Sequence, residues 1–109
     1  MKETLQELVD KANNKIKDDP KYADKLKNVN KTITITFDDK ETYHFKVENG
    51  HITNPEEGKV PADIEVSVSS ENFKKILNKE MNAMDAYLNK KIIIKSSLMD
   101  KLLLSDLLK

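Results

Sequence analysis

The sequence has no cysteine and no arginine, and its 109 residues include only two glycines. Without cysteine there is neither a disulfide framework nor a thiolate site, which fits a reducing compartment. Without arginine the bidentate guanidinium fork for phosphates and base edges is missing, so nucleic acid is a poor candidate partner. Two glycines are too few for a glycine-rich phosphate loop. No apolar run approaches the ~18 residues of a membrane span. The opening stretch MKETLQELVDKANNKIK is charged throughout and lacks the apolar centre of a signal peptide. These absences point to a cytoplasmic protein and predict a single domain over residues 1–109.

What is present is charge and pattern. Charged residues make up 35% and apolar residues 38%, with 19 lysines balancing 19 acidic residues. That is the composition of a globular chain with a heavily solvated exterior. Leu5, Leu8, Val9, Ala12 and Ile16 recur at helical spacing, predicting an amphipathic helix that Thr4 or its predecessor caps and that Asp18-Asp19-Pro20 ends. Residues 21–30 read as a polar connection anchored by Tyr22 and Leu26, with about one helical turn.

From Lys31 the period becomes two. Ile33, Ile35 and Phe37 alternate with threonines, Asp38-Asp39-Lys40 makes a turn, and Tyr43, Phe45 and Val47 form a second strand. Asn49-Gly50 signals a tight hairpin into a short strand carrying Ile52. A loop with Pro55, Gly58 and Pro61 follows. Ile64, Val66 and Val68 then alternate with Asp63, Glu65 and Ser67. Ser69 or Ser70 caps a helix carrying Phe73, Ile76 and Leu77, and Asn82 caps another showing Met81, Met84, Tyr87 and Leu88. Ile92-Ile93-Ile94 does not alternate and predicts a strand covered on both faces. Ser97 and Asp100 open the last helix.

The alternating strands sort into one apolar and one polar face, which predicts a two-layer α+β domain: a mixed five-stranded sheet with helices covering one face. Read as one crossover unit, the strands at 62–68 and 91–95 are expected to run parallel, with the rest antiparallel. The last helix stands out. Leu98, Met99, Leu102, Leu103, Leu104, Leu107 and Leu108 occupy nearly its whole circumference, whereas docking on a sheet needs a stripe little over ~100° wide. The excess requires a second partner: a lipid-like ligand, another subunit, a membrane surface or neighbouring helices of the same domain.

The stretch ADIEVSVSSENFKKILNKEMNAMDAYLNKKIIIKSS, with the Leu-rich helix after it, resembles the signature half of the sterol carrier protein type two domain. The order of the remaining elements fits that family too. Its members often carry glycines flanking the strand that is 91–95 here, where this chain has Lys90 and Ser96. The resemblance implies an apolar tunnel between sheet and C-terminal helices for fatty acyl chains, sterols or similar lipids. On matching positions, Phe37, Phe45, Ile64 and Val66 would form the floor. Phe73, Ile76, Leu77, Met81, Met84, Tyr87, Leu88, Leu98, Leu102, Leu103 and Leu107 would line the rest, with Tyr87, Ser96 or Ser97 fixing a head-group.

The leading expectation is therefore non-catalytic lipid binding and intracellular transfer, without cofactor or metal, by a monomer or homodimer with transient membrane-surface contact. Lys74, Lys75, Lys79, Lys90 and Lys91 would supply a basic patch for that contact, or simply a solvated face. The alternative is a self-associating structural module using the same apolar surface. An enzyme is the weakest class. His44 and His51 lack ligand spacing, the serine pairs read as helix caps without a Gly-x-Ser-x-Gly elbow, and the acidic pairs fall in turns.

Overall fold

The computed structural model describes residues 1–108; Lys109, the last residue of the expected domain, lies outside them. Five helices and six strands follow in the order α1 (Lys2–Asp18), α2 (Pro20–Leu26), β1 (Lys31–Phe37), β2 (Glu41–Glu48), β3 (His51–Ile52), β4 (Glu56–Glu57), β5 (Ile64–Val68), α3 (Ser70–Leu77), α4 (Ala83–Leu88), β6 (Ile92–Lys95) and α5 (Leu98–Leu107). The sheet order is β3-β2-β1-β5-β6, with β4 also on β2.

Register puts the apolar residues in rows across one face. Tyr43, Ile35, Val66 and Ile94 stand side by side, as do Phe37, Val68 and Ile92. All but Ile94 are buried, together with Ile33, Phe45, Val47, Ile52 and Ile64. Leu5, Val9 and Ala12 of α1 and Phe73 and Ile76 of α3 close over them. Phe73 meets Phe37 edge-on with ring centroids 5.0 Å apart, a favoured quadrupolar arrangement. The predicted two-layer mixed α+β fold is therefore the observed one, with a sixth short strand, β4, beyond the five expected.

Several local expectations need correction. The central parallel pair is β1 with β5, and β5 runs antiparallel to β6. One crossover helix reverses the chain once and returns it parallel, but two helices lie between β5 and β6 and add a second reversal. The isoleucines of β6 are not covered on both faces. β6 is an edge strand in which Ile92 is buried, Ile94 half-buried and Ile93 exposed. Thr4 does not cap α1, whose N-cap is Met1 with no side-chain bond. The proline that ends α1 begins α2 at its first turn, where a missing N–H costs nothing. Asp19 accepts from the N–H of Lys21 and Tyr22 there. Tyr22 and Leu26 of this helix are buried, and burial, with Asp106 adding to it, pushes the Tyr22 phenol up to about 12.

The loop after β3 also holds more structure than its composition suggests. It continues down the edge of β2, with one extra residue between the Thr53–Lys46 bonds and the Glu56–His44 pair. Buried Pro55 falls in that bulge, where no N–H is needed. Further along the same edge, β3 is sealed by a side chain. Asn13 of α1 accepts from the Ile52 N–H and donates to the Ile52 carbonyl, both at 2.9 Å, as a neighbouring strand would.

Scarcity of glycine shows in the turns. Asp38 and Asp39 take φ of 54° and 56°, and Asn49 and Gly50 take 52° and 76°, so both hairpins have positive φ at their two central residues. Lys79 and Lys90 end α3 and α4 at φ 64° and 59°. In α4 the Lys90 N–H bonds Tyr87 O and the Lys91 N–H bonds Ala86 O; α3 repeats the pattern with Lys79 to Ile76 and Glu80 to Lys75. This is the Schellman closure, whose left-handed residue is usually glycine. Lys90, where the resemblance implies a glycine, holds the conformation glycine takes most easily.

Candidate functional site

The exposed large apolar side chains among the described residues are Met84, Leu88, Ile93, Leu98, Met99 and Leu102. All fall within α4, β6 and α5. Leu98, Met99 and Leu88 are 72%, 74% and 71% exposed, and Leu102 is 44% exposed. Helix α5 is held from its other side, where Leu104 and Leu107 are buried at about 1.5–3 kcal/mol each. Ser97 caps it by accepting from the Asp100 N–H at 3.2 Å. Asp100 is itself buried and pairs with Lys31 of β1 at 3.5 Å, tying the first turn of α5 to the sheet. One side of the helix is anchored while the other stays unpartnered.

Between α4, β6 and α5 lies a groove of about 80 Å³ lined by Ala83, Met84, Tyr87, Ile94, Leu98, Lys101, Leu102, Ser105 and Leu108. On α5, Leu98, Lys101, Leu102, Ser105 and Leu108 follow at spacings of three, one, three and three, a single helical face. The α4 wall is set by Asn82, whose side chain accepts from Met84 and Asp85 N–H and starts the helix so that Met84 and Tyr87 face α5. At the rim, Lys101 Nζ donates to Tyr87 Oη at 2.6 Å and lies 4.8 Å from the centroid of that ring. The groove is apolar except for this pair and Ser105.

The residues singled out from sequence divide between this groove, its surroundings and the core. Met84, Tyr87, Leu98 and Leu102 line it. Ile76 and Met81 line a neighbouring hollow of about 270 Å³, also bounded by Ser105 and Leu108. Leu77 and Leu107 border another, of about 140 Å³, against α1 and Tyr22. Leu88 is exposed beyond the groove and Leu103 is half-buried against the core. Phe37, Ile64, Val66 and Phe73 belong to the buried core and do not face the groove, and neither does Phe45, which borders an open depression of about 580 Å³ on the other sheet face. Of the head-group candidates, Ser97 is engaged in capping, Ser96 donates to the Ser97 carbonyl at 2.9 Å, and only Tyr87 reaches the groove. Lys101, Ser105, Ile94, Ala83 and Leu108 complete the site and were not among the site residues named from sequence. The i, i+3, i+4, i+7 series from Leu98 was the available signal for the first two.

The model of the SCP-2 sterol transfer family matches residues 9–109. No curated protein sequence matches the chain. Among solved structures, apo sterol carrier protein 2 from Yarrowia lipolytica superposes with TM-score 0.68 at 20% identity, over 96% of this chain and 87% of that one. Palmitated SCP2L2 from Aedes aegypti gives TM-score 0.68 at 15% identity, over 93% and 90%. The inverting sec-alkylsulfatase Pisa1 from Pseudomonas sp. matches at TM-score 0.64 and 19% identity, but this chain covers only 13% of that enzyme. At these identities the structures share a fold and no more. The family match spans nearly the whole sequence and agrees with the element order of the sheet and helices, and the chain belongs to the SCP-2 sterol transfer family.

Proposed function

We propose that this protein binds an acyl lipid, without catalysis, in the groove between α4, β6 and α5, and carries it within the cytoplasm. The observation behind this reading is that every large exposed apolar side chain among the described residues lies in those three elements, around one apolar groove. Family membership supports a lipid as ligand, and the palmitated Aedes structure of the same fold supports an acyl chain in particular.

The groove's 80 Å³ is small beside the ~300–1,000 Å³ of ordinary ligand sites. It receives one end of a chain, and full entry requires α5 to move and open the groove towards the two hollows that share Leu108 with it. Phe37, Phe45, Ile64, Val66 and Phe73 would then be reached last. About ten methylenes leaving water release ~8 kcal/mol, the free energy of a micromolar complex before ordering costs are subtracted. Met99 and Leu88 are exposed, and with Lys90 and Lys91 nearby in sequence they would touch an anionic membrane surface while a lipid is exchanged.

Saturable binding of a fluorescent fatty acid at micromolar protein is the expected result, with Leu102→Glu abolishing it and leaving the far-ultraviolet circular dichroism unchanged. Absence of binding by the unaltered protein refutes the reading. A dimer by light scattering, whose dissociation is needed to expose Leu98 and Leu102, would favour self-association through the same surface instead.

A further inference from the structure

Resting on the lipid reading, we infer that Lys101 and Tyr87 form a head-group site that selects ligands ending in a carboxylate over neutral lipids of the same length. The ion pairs among the described residues join the Met1 amino group with Glu41, Lys27 with Asp24, Lys31 with Asp100, His44 with Glu56 and Lys75 with Glu71. Lys101 is in none of them. It is half-buried at the mouth of an apolar groove, and its polar partner is the neutral Tyr87 hydroxyl, 2.6 Å away.

A cation partly withdrawn from water with no counter-charge is an incomplete arrangement, since desolvation is offset only by pairing. Tyr87 restores part of the loss through one hydrogen bond. An ammonium has three donors, so two remain, and the phenol that accepts from Lys101 keeps its own proton to donate. These three vacant donors belong to the two side chains that face each other across the same groove. A carboxylate there accepts from Lys101 and Tyr87 together in charge-assisted hydrogen bonds, with its chain running along Met84, Leu98 and Leu102. One ammonium and one phenol match a single negative charge. A sterol or fatty alcohol brings a hydroxyl that leaves the lysine charge unanswered.

The test is competition between a C16 carboxylic acid, the C16 alcohol and the methyl ester of the acid, each displacing a neutral polyene-alcohol probe. The acid should displace it at a concentration at least tenfold below the other two. Lys101→Met should remove that preference, raising the acid's displacing concentration to that of the alcohol measured on the same variant. Tyr87→Phe should reduce the preference without abolishing it. Equal displacement by acid and alcohol in the unaltered protein overturns the inference while the lipid reading stands, and so does a preference that survives both Lys101→Met and Lys101→Gln. If the probe and all three ligands fail to bind, the lipid reading falls and this inference with it.

Discussion

Asp38, in the turn between β1 and β2, accepts two hydrogen bonds from Ser70: from its N–H at 3.0 Å and from its hydroxyl at 2.5 Å. Asp38's own N–H donates to Val68 O. The turn is therefore fastened both to the end of β5 and to the start of α3. Negative charge at a helix N-terminus is favourable, and the Ser70 bonds hold the Asp38 carboxyl below its ordinary range.

A depressed carboxyl contributes stability that is present above its unfolded value of about 3.9 and is lost as pH falls through the lower folded value. Asp38→Asn keeps a residue tolerant of φ 54° but removes the charge. Urea midpoints should show the variant less stable at pH 7, with the difference shrinking as pH is lowered below about 4. A gap independent of pH would refute the account. Asp38→Ala, which also strains the turn, should be the less stable variant at neutral pH.

The helix ends supply a stabilising change. Lys90 and Lys79 occupy left-handed positions, which cost a side-chain-bearing residue roughly 1–2 kcal/mol. Each substitution by glycine at these sites relieves that strain against a smaller entropic loss, for a net gain of about 0.5–1 kcal/mol. Thermal unfolding checks it: Lys90→Gly should melt higher, whereas Lys90→Ala should not. A lower midpoint for both glycine variants would count against the geometry.

Asn13 predicts a loss out of proportion to its size. Its amide satisfies both backbone groups of Ile52 at the sheet edge. Asn13→Ala leaves that pair without its partner, at a cost of about 1–3 kcal/mol. Asn13→Asp retains the acceptor and loses the donor, and should fall between. Hydrogen exchange at the Ile52 amide is the direct readout, with protection lost in the alanine variant and retained in the aspartate.

Helix α5 should respond differently on its two sides. Leu104→Ala removes a buried side chain and should cost about 2–5 kcal/mol. Leu98→Ala trims an exposed one and should stay within about 0.5 kcal/mol. Denaturant titration of both variants measures the contrast, and comparable losses would mean that Leu98 is packed.

Alternation made the sheet legible because each apolar strand residue between Ile33 and Val68 has only two faces to choose from, and all of them chose one. The caps at Ser69, Asn82 and Ser97 were equally legible, since each side chain serves an N–H two or three residues on. Strand direction was not, because it depends on how many times α3 and α4 turn the chain. The burial of Ile93 was misjudged for a related reason: three consecutive isoleucines carry no information about sheet position. For the site, the Leu-rich circumference of α5 showed that apolar surface would be left over. Leu98 and Leu102 were named from it, but Lys101, lying between them in the sequence, was not. Its place at the groove comes from Tyr87, brought opposite by a helix that starts fifteen residues before α5.

The parallel seam between β1 and β5 has a bearing on how the molecule comes off the ribosome. Residues 31–52 can fold as local hairpins soon after they emerge, yet β1's inner edge stays bare until Ile64–Val68 follow. The nascent meander thus carries an open template for strand addition, and only the arrival of the second half of the sequence closes it.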